Sequence, residues 1–253
     1  MFSMICGLIG IMSAMPEEGE LIKKNMHQAE KIEVGGRQFF RGQIEEKEVL
    51  FCLSGIGKVS AATTATLMID KFGVEKILFT GVAGGGNETE VGDIVIGKSY
   101  LQHDLDLTPI YPKFYISNLD KQILHADDAL IANMEKAASA YLEVRKLQPF
   151  NLIKDPKVHV GLVLSGDQFI YSEYQRDRIF SDLKSVDLDK FHAVEMEGAA
   201  VAQVCHEFKL PFVVIRAISD KANSESQIDF PLFIQQVASE YSIGILKEFF
   251  KDN

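Results

Sequence analysis

Four acidic positions and one arginine stand where charge is out of place. Pro211–Asp220 is an apolar run broken only by Arg216 and by Ser219 and Asp220 at its end. That is the pattern of a buried strand delivering charge to its tip, and in open α/β sheets ligands bind beyond the carboxyl ends of the strands. On this stretch alone Asp220 is either a catalytic carboxylate or a cap for the next segment. Glu195 and Glu197 lie in Val194–Val201, at the start of a helix that stays largely apolar to Cys205. Buried carboxylates need partners, and a pair of ligand hydroxyls would serve. Glu17 and Glu18 follow the first apolar run, where acids commonly complement a helix dipole. Adjacent side chains point different ways, so only one of the two can face a pocket.

The elements that must position these groups follow from patterning. Residues 5–13 read as a first strand buried on both faces, and Pro16 with its two acids opens a helix. Gly35-Gly36 marks a hairpin between strands 30–35 and 37–43, with a third, antiparallel strand at 48–54. Ser54-Gly-Ile-Gly-Lys58 starts a helix over 58–72; it lacks the full phosphate-loop spacing, and close backbone packing is the expected job of its glycines. Lys76–Gly86, the strand beginning at Gly92–Gly97, the apolar strand within Val158–Asp167 and 191–195 complete the strands. The stretches ending near 84, 167 and 220 share one pattern, an apolar strand followed by small and then polar residues. Phe169, just past one of them, could stack on a planar base or belong to the core. His103–Asp106 has ligand-like side chains but reads as a hydrogen-bonded loop. The loop 107–125 is expected to expose Tyr111, Phe114 and Tyr115 as a lid or partner surface. Helices are expected over 127–142 and 229–250, with an irregular stretch at 146–157 between them.

Composition excludes several classes of function. The formal charge is −10, and no cluster of lysines and arginines is dense enough to follow a phosphate backbone, so nucleic acid is not an expected partner. Cys6, Cys52 and Cys205 share no metal-ligand spacing and sit in apolar surroundings, which points to buried thiols in a reducing, cytoplasmic setting. The apolar start lacks a basic leader and fits a strand better than an export signal. No apolar run approaches the roughly 18–20 residues of a membrane span. The 253 residues read as one domain over 1–253.

Taken together, Ile9–Glu18, Ser54–Lys58, Thr80–Gly85, Val91–Val95, Ser165–Ile170, Val194–Glu197 and Arg216–Asp220 resemble, in order and spacing, the 5′-methylthioadenosine/S-adenosylhomocysteine nucleosidases. The resemblance implies a three-layer α/β/α sandwich around a central mixed sheet, of nucleoside phosphorylase type, and a homodimer that hydrolyses the N-glycosidic bond of adenine nucleosides without cofactor or metal. Carried onto this chain, it makes Asp220 the acid that protonates N7 of adenine and Glu18 the residue that activates water, with Arg216 beside it. Glu197 would bind the ribose hydroxyls, with Met196 against the sugar. Phe169, Ile170 and Ser219 would frame the base, while Met15, Ile56 and Phe230 border the sugar and its 5′ substituent. Val82, Ala83, Gly84, Glu195 and Ala222 complete the implied substrate-binding set. The 105–117 loop would reach the neighbouring subunit's site.

Three positions depart from the common pattern. Val82 stands where many members have serine, Asn223 replaces a frequent aspartate, and Ile110–Phe114 replaces a glycine-aromatic run. The loop leaves the preferred 5′ substituent open. Val82-Ala83-Gly84 and Ser165–Phe169 look like members that also cleave 6-amino-6-deoxyfutalosine. Two rival functions remain at this point. A purine nucleoside phosphorylase would need an anion site where Glu18 places negative charge and Val82 offers no hydroxyl. A nucleoside sensor would keep the fold without turnover.

Overall fold

The computed structural model describes residues 7–145 and 155–251. Cys6, the first two residues of the expected strand 5–13 and most of the irregular stretch 146–157 lie outside the described residues. The element order is β1 (Ile9–Ser13), α1 (Pro16–Lys24), β2 (His27–Val34), β3 (Arg37–Ile44), β4 (Lys47–Leu53), α2 (Lys58–Phe72), β5 (Lys76–Gly85), β6 (Ile94–Gln102), β7 (Leu124–His125), α3 (Asp128–Val144), β8 (Val158–Ser165), α4 (Glu173–Lys184), β9 (Ala193–Glu195), α5 (Gly198–Phe208), β10 (Phe212–Asp220), α6 (Ser226–Gln236) and α7 (Ala238–Lys251).

The hairpin turns at Gly35-Gly36, both at positive φ, and β4 continues it antiparallel to β3. The helix expected over 229–250 is two helices. Pro231 removes a backbone donor from α6, and Val237 leaves helical geometry at φ −133°. The break lets α6 pack on β10 and α1 while α7 runs along α1 and α3.

The sheet is mixed, as expected, but it is not open. Strand β5 is long enough to hold three neighbours: β1 and β10 run parallel to it, and β9 pairs antiparallel at Gly84–Gly85. Because β10 also pairs with β6, β6 with β8 and β8 with β9, the strands β5–β10–β6–β8–β9 close on themselves. Strands β1, β4, β3 and β2 extend the sheet from β5. Every residue of β1 and β10 is buried, which explains their almost continuous apolar runs. The helices pack as α1, α3, α6 and α7 in one group and α2 with α5 in another.

Closure concentrates chemistry. The ends of β1, β5 and β10 lie side by side, and β9, which places Val194 opposite Gly84, brings Glu195–Glu197 to the same spot. The expectation for β10 is sharpened here. The strand does reach Asp220, but a bulge at Ser219 sets Ile218 opposite Ala83 and Asp220 opposite Gly84. In a regular strand residues 216 and 220 would share a face; the extra residue puts Asp220 on the opposite one.

Candidate active site

Glu18, Glu197, Arg216 and Asp220 are 2%, 5%, 1% and 1% exposed, so the charges read from sequence as out of place are buried. Glu17 is exposed, so of the adjacent pair only Glu18 turns inward. A cavity of about 410 Å³ lies among them, lined by carboxylates Glu18, Glu195, Glu197 and Asp220 and by Met15, Ile56, Val82, Ala83, Gly84, Phe169, Met196, Ser219 and Phe230. Ala14 and Val194 also line it and were not singled out from sequence, because a small or aliphatic residue at a strand end carries no chemical mark. A recess of about 30 Å³ adjoins it at Gln168, Phe169 and Ile170. The rings of Phe169 and Phe230 meet edge-on at 5.3 Å and form one wall. Ala222 and Arg216 are not among the residues that line the cavity.

Glu18 sits in the first turn of α1 and bends back onto the chain that leads into it. Its Oε2 accepts the N–H groups of Ala14 and Met15, both at 2.8 Å, and its Oε1 accepts Val82 N–H at 3.0 Å. Gly81 makes the room: a Cβ there would fall 2.6 Å from Glu18 Oε1 and 3.3 Å from an Arg216 nitrogen. Burial pushes the Glu18 pKa up, and Arg216 with the three backbone donors offsets this only in part. A carboxylate so held is oriented as an acceptor and more basic than usual, which suits proton removal from water.

Arg216, expected beside Glu18, acts on it through charge while its hydrogen bonds go elsewhere. Its Nε and Nη2 donate to Glu195 Oε2 at 3.2 and 2.6 Å, and Nη1 donates to the carbonyls of Phe79 and Ile215. The guanidinium lies 4.3 Å from the Phe79 ring centre and 3.8 Å from Glu197. It is a buried counter-ion for the carboxylates rather than a wall of the cavity. Glu195 is equally committed: it also accepts Ser165 Oγ–H and the N–H groups of Glu197 and Gly198, so it anchors the start of α5 although it borders the cavity.

Glu197 has freer oxygens. Its Oε1 accepts Gly57 N–H at 2.8 Å, and Oε2 stands beside Arg216 beyond hydrogen-bond range. Gly55 and Gly57 adopt φ 78° and 97°, so the glycine loop exists to turn a backbone N–H toward Glu197, and backbone conformation outweighs the close packing expected from sequence. Burial first, and then the charge of Glu195, push the Glu197 pKa up to about 8. A carboxyl that keeps its proton in the folded state and loses it in the unfolded one stabilises the fold at low pH. That contribution fades as pH rises from the ordinary carboxylate range toward about 8. The ligand-free protein is therefore expected to lose stability across this window, on the order of a few kcal/mol. Glu197→Gln should flatten the slope in denaturation series run at pH 5 to 9; an unchanged slope would remove Glu197 as its source.

Asp220 accepts Ala222 N–H at 2.8 Å and Ser226 Oγ–H on Oδ1, and Ser219 Oγ–H at 2.8 Å on Oδ2. Ser219 Oγ also lies 3.2 Å from Ala83 O. The cap reading of Asp220 thus holds in a limited sense, since it organises the turn into α6 while facing the cavity. Ser226 was missed in the sequence, where it is one polar residue among several in a loop.

Elsewhere, His103–Asp106 forms a hydrogen-bonded loop, with Asp104 engaged by Lys58 and Asp167. Among the described residues no cluster of histidine, cysteine and acidic side chains could hold a metal. The 107–125 loop differs from expectation. Tyr111 is exposed and stacks on Tyr115, but Phe114 is wholly buried in the small core with Leu101 and Leu164. A loop of this length needs an apolar anchor, and Phe114 supplies it.

A sequence model of the phosphorylase superfamily matches residues 8–251. A 5′-methylthioadenosine/S-adenosylhomocysteine nucleosidase of Listeria monocytogenes is 39% identical over 252 residues, spanning 94% of this chain and 97% of that protein. The crystal structure of a nucleosidase of that name from Neisseria meningitidis, in complex with methylthio-immucillin-A, is similar with TM-score 0.85 at 31% identity, over 98% of this chain and 100% of that one. A futalosine hydrolase of Helicobacter pylori is similar with TM-score 0.84 at 32% identity, over 99% of this chain.

Proposed function

The chain belongs to the phosphorylase superfamily and, within it, to the 5′-methylthioadenosine/S-adenosylhomocysteine nucleosidases, and we propose that Asp220 and Glu18 carry its hydrolysis of the N-glycosidic bond. Adenine is a poor leaving group until it is protonated, and the sugar passes through an oxocarbenium-like state that nearby carboxylates stabilise. Asp220 is the proton donor. Its Oδ1 is already committed to two donors, so the transferable proton resides on Oδ2, and Ser219 then turns its own hydrogen to Ala83 O. As N7 takes that proton, the electron pair of the C–N bond leaves with adenine. Water adds to C1′ and passes a proton to Glu18. Glu197 holds the ribose hydroxyls, Met196 packs against the sugar, and Phe169 with Ile170 frames the base.

The seat of Glu18 carries this reading. The Val82 N–H that would face an attacking phosphate is taken by the Glu18 carboxylate at 3.0 Å, which disfavours an anion and favours water at that place. The expected result is free adenine from methylthioadenosine and S-adenosylhomocysteine at a rate indifferent to phosphate. Strict phosphate dependence with ribose 1-phosphate as product would overturn the hydrolase reading, and binding without any adenine release would favour the sensor. Adding 6-amino-6-deoxyfutalosine and 5′-deoxyadenosine to the panel reads the 5′ preference.

The active unit proposed is a homodimer. Val59 and Ile110 are 78% and 81% exposed, Ile56, Leu107 and Tyr111 are exposed too, and the Lys58–Asp104 ion pair ties together the two segments that carry them. A second copy would cover these side chains and bring its 105–117 loop to the 5′ end of the cavity. Specific activity in the same assay should fall on dilution below the dissociation constant; a fully active monomer contradicts this. The buried, free thiols of Cys52 and Cys205 support a reducing, cytoplasmic setting.

A further inference from the structure

We propose that Asp104 is a positioning residue for ribose recognition, acting on Glu197 through a closed clasp of three chain segments. The inference rests on the reading above in one respect, that Glu197 binds the ribose. Asp104 lies in the loop after β6 and does not border the cavity. Its Oδ1 accepts Lys58 Nζ at 2.5 Å and its Oδ2 accepts Asp167 N–H at 2.8 Å. Asp167, in the loop after β8, returns the contact: its Oδ1 accepts Lys58 N–H at 2.8 Å. One carboxylate therefore ties the start of α2 to the loop that carries Phe169. The residue before Lys58 is Gly57, whose N–H is the donor to Glu197 Oε1 at 2.8 Å.

Two successive peptide N–H groups, of Gly57 and Lys58, thus point at two carboxylates on different segments, Glu197 and Asp167. A glycine at φ 97° has no side chain to hold that geometry by packing, so something else must. The clasp does so. The Lys58 and Asp104 side chains are 16% and 23% exposed, and Lys58 Nζ lies 3.3 Å from Gln102 Oε1, so the pair is shielded more than a surface ion pair. Its loss frees the glycine loop, and the Glu197 carboxylate then loses the donor that fixes one of its oxygens. The polar grip on adenine, Asp220 and Ser219 on β10, shares no member of the clasp, and Phe169, two residues beyond Asp167, rests on the Phe230 ring outside it at 5.3 Å.

The test measures binding calorimetrically with two probes. One is adenine; the other is a C-nucleoside analogue of methylthioadenosine whose base–sugar bond cannot be hydrolysed. Asp104→Asn is expected to weaken the analogue about tenfold, the scale of one charge-assisted hydrogen bond. Adenine affinity should stay within about twofold, which also reports a folded protein. Asp104→Glu should recover most of the loss, and Asp104→Asn added to Glu197→Gln should cost nothing further, because the two act in series. Equal loss for both probes, no loss for either, or additivity with Glu197→Gln would overturn the proposal. Wild-type protein that binds adenine but not the analogue would instead overturn the ribose role of Glu197, and the clasp's function with it.

Discussion

Replacing Asp220 with asparagine is expected to lower kcat for methylthioadenosine by about 10²–10⁴-fold while leaving KM within a few-fold, as steady-state adenine release will show. The amide keeps the oxygen that accepts Ala222 N–H and Ser226 Oγ–H, so the turn into α6 survives. Its nitrogen can still donate a hydrogen bond to N7 of the base. It cannot surrender a proton as the C–N bond breaks, and the loss is confined to the transition state. Turnover within a few-fold of wild type would show that another group protonates adenine.

The largest effect on stability is expected at Arg216. Arg216→Met keeps much of the side chain's volume over the Phe79 ring but leaves the Glu195 carboxylate, with Glu18 and Glu197 close by, without its buried counter-ion. Removing one partner of a buried pair typically costs about 3–5 kcal/mol, far more than the pair itself contributes over an apolar replacement. Urea denaturation should show a midpoint shift of that size. Glu195→Gln in the same chain should return part of it, since a neutral amide no longer needs the cation. A midpoint that moves by less than about 1 kcal/mol would mean that the carboxylates are not charged around Arg216.

These two residues also separate what was legible in the sequence from what was not. Asp220 was legible as a candidate because it ends a largely apolar strand, which left a catalytic carboxylate and a cap both open; the family resemblance chose between them. The role of Arg216 was not. In a regular strand its spacing of four from Asp220 would place both on one face, but the sequence left open whether the strand reaches Asp220, and the bulge at Ser219 shifts the register against β5. A bulge is a tertiary event, chosen by the pairing partner, and leaves no pattern in the bulged strand's own residues. The helix expected over 229–250 is likewise split in the structure, at Val237, where the backbone leaves helical geometry and lets α6 pack on β10 and α7 on α3.

By itself the sequence determined all the strands but the short β7, which lies in the stretch read as a loop, together with the order of the motifs and the short roster of charged residues with no place on a surface. Burial of a carboxylate is costly enough that such positions stand out against an apolar background. Only the tertiary structure decided the division of labour among them. All four carboxylates border the cavity, but Glu195 is taken up by Arg216 while Glu18, Glu197 and Asp220 are held by backbone N–H and hydroxyl donors. That division depends on which backbone N–H groups and which cation lie within hydrogen-bond reach. Those neighbours come from segments far apart in the chain, joined when β5 takes β1, β9 and β10 as partners and the sheet closes.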